Sequence, residues 1–456
     1  MTPTTVKPRP STPTTPFPPI PSRIPSVTFD RVARMIRLGC DMQLHCVISL
    51  DSRIDEARLA RAVRLLLDAE PVLGCRFVET RFHPRWERRE DLDRLPLVTM
   101  VESTQPLVDC VPFMIMPCVA ERDPMVLVRI YRGKTDTLVL KINHFAVDGG
   151  GSKEAAYLLG SLFGALEKDP EYQPRPNLSG RRSLSQLSER FGTLDKLRFF
   201  GEGIRHTVAR FVPPVSWRVP NREPKGVGAR APGQSYVFHH IGPEGFRKGK
   251  ELAGRHGATL NDLLVAAFCQ ACLELEPARE TDPLRLRITA DLRRYLPTGR
   301  AEALCNLSGF VYLDLGKGVP RTFVELLGRV RDEMKRQKAG PIGLGDTALI
   351  GPLATYVPAS FLLSRFERGV ARGVPSDLRA PCLTNIGRID PAQLRFDGVR
   401  VTDAFTTATV IYPPILAVAA TGFGESITLS AGFCESFLAR TDVERIFARM
   451  AERMTA

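Results

Sequence analysis

Between Leu138 and Phe163 the chain passes from β-leaning to helical character within a few residues, and this junction constrains the fold more than any other feature. The run Leu138-Val139-Leu140-Lys141-Ile142 has the apolar, β-branched composition of a strand. It leads through Asn143-His144-Phe145-Ala146-Val147-Asp148-Gly149-Gly150-Gly151 into an Ala/Leu-rich stretch that begins at Ser152. A strand that hands directly to a helix is a unit of layered α/β architecture. The junction also places a His and an Asp four residues apart, beside three glycines. An imidazole can act as a base near neutral pH, and glycine lets backbone turn tightly or approach a bound group.

The same alternation recurs along the chain. Met42–Leu50 reads as a strand, followed by a helix with Ile54, Leu59, Ala62, Val63, Leu66 and Leu67 at helical spacing. Pro71 ends that helix, and residues 73–77 return as a strand. Residues 125–130 and 137–142 form a strand pair around Gly133. In the second half, strands are expected at 235–241, 286–290, 307–315, 408–411, 415–420 and 427–433, and near Leu383 and Val399. Helices are expected at 243–256, from Thr259 or Asn261, and at 322–335. The uncharged stretch Phe405–Gly424 is broken by Pro413-Pro414 and reads as two core strands joined by a turn, not a membrane span.

A chain of 456 residues exceeds one ordinary core and suits two domains. Residues 1–26, with nine Pro and six Thr, bury too little apolar surface to order themselves and read as a disordered arm. The first domain is expected at 27–212, a crossover linker at 213–233 and the second domain at 234–456. Within the first domain, 194–212 forms an amphipathic helix with Leu197, Phe200, Ile204, Val208 and Phe211 on one face. Packing of that face on its own domain is the first expectation; contact with a membrane surface is the alternative.

The ten cysteines are scattered, and no signal-peptide pattern is read at the start, so free thiols in a cytoplasmic protein are expected. Cys269 and Cys272 form a CxxC inside an apolar helical run, with no second pair or His cluster to complete a zinc site; they read as core, and no metal is expected. The net charge of +13 reads either as a merely soluble basic surface or as attraction to a phosphorylated cofactor such as coenzyme A, an acidic carrier protein or anionic lipid. With aromatics at 7% and no nucleic-acid module, nucleic acid is not an expected partner.

The stretch Asn143-His144 to Gly149 resembles the HHxxxDG signature of the chloramphenicol-acetyltransferase-like acyltransferases, with Asn143 in place of the first His. Further segments are similar to the condensation-domain, wax ester synthase and polyketide-lipid branches. They are Gly257-Ala258-Thr259-Leu260-Asn261-Asp262, Ala290-Asp291-Leu292-Arg293, Cys305-Asn306 (with Cys where Gly is usual) and Leu383-Thr384-Asn385-Ile386-Gly387. A DFGWG motif, which marks the plant branch, does not occur in the sequence.

The resemblance implies an α/β fold of two similar domains, each a mixed sheet flanked by helices, with an active-site tunnel between them. It implies transfer of an acyl group from a thioester, acyl-CoA or acyl carrier protein, to an acceptor hydroxyl. The basic amphipathic segment 194–212 and apolar stretches such as Ala359-Ser360-Phe361-Leu362-Leu363 favour a lipophilic alcohol. His144 would be the general base, with no acyl-enzyme and no permanently bound cofactor; coenzyme A or a phosphopantetheine arm would carry the acyl group. Asp148 would turn from the substrate and pair with an Arg, for which Arg293 is the candidate and Arg294 the fallback. Asn143 would brace the loop, and Gly149 and Gly150 would permit close substrate approach. Thr384 and Asn385 either serve the oxyanion or are structural. The alternatives are a stand-alone condensation enzyme forming an amide, and a non-catalytic member that binds a carrier protein or ligand. His45, His83, His206 and His256 carry no partner in sequence, and His239-His240 read as structural.

Overall fold

The computed structural model describes residues 17–211, 233–348 and 380–455 apart from 81–83, 346 and 414, together with 351, 357 and 361. His83, the first part of the arm and nearly all of the 213–233 crossover lie outside the described residues. The first half supplies strands β1 (Arg23–Pro25), β2 (Gln43–Leu50), β3 (Cys75–Val78), β4 (Arg85–Arg88), β5 (Val98–Glu102), β6 (Val126–Arg132) and β7 (Asp136–Asn143). Its helices are α1 (Thr28–Ile36), α2 (Glu56–Ala69), α3 (Pro106–Asp109), α4 (Val111–Ile115), α5 (Gly149–Lys168), α6 (Ser185–Ser188) and α7 (Thr193–Phe211). The second half adds β8 (Gln234–Ile241), β9 (Pro283–Asp291), β10 (Ser308–Lys317), β11 (Cys382–Ile389), β12 (Val401–Thr406), β13 (Ala417–Phe423) and β14 (Ser426–Cys434). Its helices are α8 (Pro243–Arg255), α9 (Leu260–Leu275), α10 (Phe323–Lys338) and α11 (Arg440–Thr455).

Two mixed sheets dominate, in the orders β12-β2-β7-β6-β5 and β10-β9-β11-β13-β14-β8. Helices α2 and α5 bury Leu59, Leu66, Ala155 and Phe163 on one face of the first sheet. Helices α9, α10 and α11 cover the second sheet in a separate core, where Cys269 and Cys272 are fully buried. Helix α9 starts where its sequence directs: Thr259 Oγ1 accepts from the Asp262 N–H at 3.2 Å, while Asp262 accepts from the Thr259 N–H at 2.8 Å. The other face of the first sheet carries Val47, Val139 and Phe405, packed with Tyr236 and Val410 from the second half. All ten cysteines are buried thiols. Among the described residues, no single helix is long and apolar enough to cross a membrane.

Four features differ from the sequence expectations. Order begins before Val27, because Arg23–Pro25 pairs antiparallel with β4; proline is tolerated on such an edge. Residues 408–411 are not a strand. The Val410 carbonyl accepts from the Asp41 N–H at 3.1 Å, and Tyr412, just beyond this stretch, donates its N–H to the Gly39 carbonyl at 2.7 Å, which leaves one isolated bridge between Cys40 and Ile411. The uncharged stretch 405–424 is not a hairpin either: β12 pairs with β2 in the first sheet and β13 lies in the second. It lacks charge because it threads the interior between the sheets, so the second half lends a strand to the first. Finally, α7 buries Phe199 but leaves Leu194, Leu197, Phe200 and Ile204 exposed, so its apolar stripe faces outward. The side chains of His206, Val208 and Phe211 lie outside the described residues.

Candidate active site

Strand β7 ends at Asn143, and the loop to α5 is held from three sides. Asn143 Nδ2 donates to the Cys118 carbonyl at 2.9 Å, and its Oδ1 accepts from the Phe145 N–H at 3.0 Å. Both bonds are local braces, of the kind expected of Asn143. Asp148 caps α5, with Oδ1 accepting from the Gly151 N–H at 2.8 Å.

The Asp148 carboxylate is 1% exposed and turns toward the second half of the chain. Its Oδ2 accepts from the Leu307 N–H at 2.6 Å, from Ser308 Oγ at 2.8 Å and from Arg293 Nη1 at 3.1 Å. Burial alone would raise its pKa. The Arg293 charge and these hydrogen bonds outweigh burial and hold it down at about 2. Arg293, equally buried, also donates to the Cys305 carbonyl at 2.9 Å and to Asp291 at 3.2 Å. Burial opposes its charge, but Asp148, Glu154 and Asp291 together raise its pKa. The ion pair expected from the Asp-Leu-Arg segment is therefore formed, by Arg293 and not by its fallback.

The glycines serve this contact. A Cβ on Gly150 would lie 2.6 Å from Arg293 Nη1, and one on Gly149 would lie 2.8 Å from Ile386 Cδ1. Close approach is required here, but by protein neighbours where the sequence suggested substrate.

His144 is half-buried between the two halves. Its main-chain N–H donates to the Met42 carbonyl at 2.8 Å. Asn306, from the segment before β10, lies against it: Nδ2 donates to the carbonyls of His144 at 3.1 Å and Phe145 at 3.2 Å, while Oδ1 is 3.1 Å from His144 Nδ1. Two carbonyl oxygens demand a donor, which fixes the orientation of the Asn306 amide. Its oxygen can only accept, so His144 Nδ1 carries the hydrogen and the lone pair of the neutral ring lies on Nε2. Among the described residues Nε2 makes no hydrogen bond. The sequence puts Asn306 in a family-like segment but gives it no place in the site.

Thr384 and Asn385 separate. On β11 they point to opposite faces. Asn385 is engaged on both sides, with Nδ2 donating to Asn261 at 2.8 Å and Oδ1 accepting from the Gly387 N–H at 2.9 Å. Thr384 points away from Leu383 and the helix-covered core, toward the face that carries Ile386, the neighbour of Gly149. Of the other histidines, His45 is fully buried with Nδ1 3.1 Å from Thr407 Oγ1, and His240 lies 3.6 Å from Asp403.

This arrangement sits in the two-lobed fold shared by peptide-synthetase condensation domains and their acyltransferase relatives. Polyketide synthase associated protein 5 from Mycobacterium tuberculosis superposes with a TM-score of 0.65 at 15% identity, over 95% of this chain and 98% of that one. The first condensation domain of the CDA synthetase gives 0.66 at 16% identity, over 94% and 96%. The trichothecene 15-O-acetyltransferase of Fusarium sporotrichioides gives 0.67 at 12%, over 95% and 94%. At these identities the likeness establishes the fold. No family model matches the sequence, and no curated protein matches it.

Proposed function

We propose that the protein transfers an acyl group from a thioester, carried by coenzyme A or by an acyl carrier protein, to an acceptor hydroxyl. The observation that carries this reading is the pairing of His144 with Asn306, which holds Nδ1 as the donor and leaves Nε2 as the basic nitrogen of the neutral ring, between the lobes. Nε2 takes the proton from the acceptor oxygen as that oxygen attacks the thioester carbonyl carbon. The tetrahedral oxyanion then collapses, the carbon–sulfur bond breaks, and the thiolate receives the proton from Nε2–H. Holding donor and acceptor together supplies much of the rate. Asp148 and Arg293 are positioning residues, since their mutual contacts leave them no part in proton transfer. Thr384 is the oxyanion candidate; the side chain of Asn385 is already bonded. The fold neighbours, which include an O-acetyltransferase and condensation domains, support this class of chemistry.

Incubating acyl-CoA and carrier-bound thioesters with alcohol and amine panels tests the reading. Thiol release with ester formation, abolished in His144→Ala, is expected. Turnover with amines alone would replace it with the condensation reading, and undiminished transfer by His144→Ala would remove the base. The outward apolar stripe of α7 supports peripheral contact with a lipid surface, in keeping with a lipophilic acceptor or acyl chain.

A further inference from the structure

Next to the His144 loop lies a cavity of about 230 Å³, walled by Asp41, Met42, Gln43 and Phe145 from the first half and by Gln234 and Tyr412 from the second. Phe145 follows His144 in sequence, and Met42 accepts the His144 N–H, so the cavity and the base share a wall. Met42 has φ +55°, the one positive value outside glycine among the described residues. Strain of this kind persists where the surroundings over-determine it, often at functional sites.

Arg37, Glu121, Gln234 and Tyr412 also line the cavity, but the acceptors short of a donor lie on the Asp41–Gln43 side. Gln43 is 1% exposed, and its Oε1 is buried with no hydrogen-bond partner among the described residues. Its Nε2 donates to Asp41 Oδ2 at 3.4 Å, so turning the amide over would set two oxygens against each other. Asp41 Oδ1 accepts from the Gln43 and Val410 N–H groups, which among the described residues leaves Oδ2 with only the long bond from Gln43. The neighbouring cations do not fill this gap. Lys141 Nζ is held by the carbonyls of Phe113 and Met116, and Arg37 by Glu79 and Glu121. A buried acceptor without a donor is costly, and such a group asks for a partner.

We propose that Gln43 Oε1 and Asp41 Oδ2 form a second anchor for the acceptor, seating a hydroxyl or ammonium group distinct from the one that is acylated. This rests on the acyl-transfer reading above and narrows its acceptor class to diols, polyols and amino alcohols. An ammonium ion there would also hold Asp41 ionised, against the burial that pushes its carboxyl up to about 7.

The test compares each diol and amino alcohol with the simple alcohol of equal chain length. The wild type should favour the difunctional acceptor roughly tenfold or more in kcat/KM, the scale of a hydrogen bond to a charged or buried group. Gln43→Met, close in shape, should collapse that ratio. Asp41→Asn should reduce the ratio more for amino alcohols if ammonium is the favoured group, and equally for both if hydroxyl is. Independently of chemistry, the difunctional compounds should raise the melting temperature of His144→Ala but not of His144→Ala/Gln43→Met. A ratio or melting shift indifferent to Gln43 overturns the anchor and leaves the cavity to water. Absence of His144-dependent transfer to every acceptor would instead overturn the acyl-transfer reading itself.

Discussion

Asn306 holds His144 by its ring and by its main chain at once, from a position 162 residues further along the chain. The two carbonyl contacts fix the amide, and the amide fixes the imidazole tautomer. Fold closure, not local sequence, thus decides which nitrogen can take a proton.

Removing this clamp should separate rate from binding. In Asn306→Leu the ring loses its tautomer bias and its orientation, and kcat should fall on the order of 10- to 100-fold, as for a lost positioning contact. KM for the thioester should change little, since Asn306 makes no contact that a donor would replace. Steady-state kinetics with a melting curve check this; a KM effect alone would assign Asn306 to substrate binding.

The Asp148–Arg293 pair should behave as a structural unit. Breaking a buried, hydrogen-bonded pair by removing one partner costs about 3–5 kcal/mol, so Arg293→Ala and Asp148→Asn should both lower stability as well as rate. Because the folded-state pKa of Asp148 is depressed to about 2, its contribution is present above its ordinary value of 3.8 and is lost as pH falls toward 2. Denaturant melts of the wild type should therefore weaken across that acid window more steeply than those of Asp148→Asn. A loss of rate in both variants with unchanged melting would count against the structural role.

What the sequence made legible was local. His144 and Asp148 share one strand–loop–helix junction, so their spacing is visible without a fold. Arg293 was reachable only through the resemblance, which pairs Asp148 with an Arg and marks the Asp-Leu-Arg segment as its source, as a buried carboxylate requires. Asn306 was not, because its partner atoms come from a distant loop. Gln43 and Asp41 were hidden for another reason: Gln43 lies opposite Asn143 in a run that reads as core strand, and the backbone of Met42 leaves no trace in composition. The crossing of β12 into the first sheet was equally silent, since an uncharged stretch between two sheets resembles an uncharged hairpin within one.

Asp41 gives a pH prediction of the opposite sign. Burial raises its folded pKa from 3.8 to about 7, so its contribution is fully present below 3.8 and lost as pH rises through 7. Asp41→Asn removes that titration. The variant should gain stability relative to the wild type between pH 5 and pH 8, on the order of 1 kcal/mol or more, read as the difference in denaturant midpoints at the two pH values. An unchanged difference would mean that the Asp41 carboxylate is stabilised by contacts beyond those to Gln43 and Val410.

Helix α7 offers the last test, because it reverses the usual order of a surface helix. Leu194 is 83% exposed and Leu197 62%, with Phe200 and Ile204 continuing the stripe, while Phe199 faces the protein. Lys196 and Arg198 flank the stripe, and the net charge of +13 favours an anionic surface. The protein should therefore co-sediment with vesicles containing phosphatidylglycerol more than with neutral phosphatidylcholine. Leu194→Glu/Leu197→Glu should abolish that binding without lowering the melting temperature, since exposed side chains contribute little to the core. A double variant that still sediments would place the lipid contact elsewhere. Loss of a dimer in the same variant, read by light scattering without any vesicle effect, would assign the stripe to a second copy of the chain.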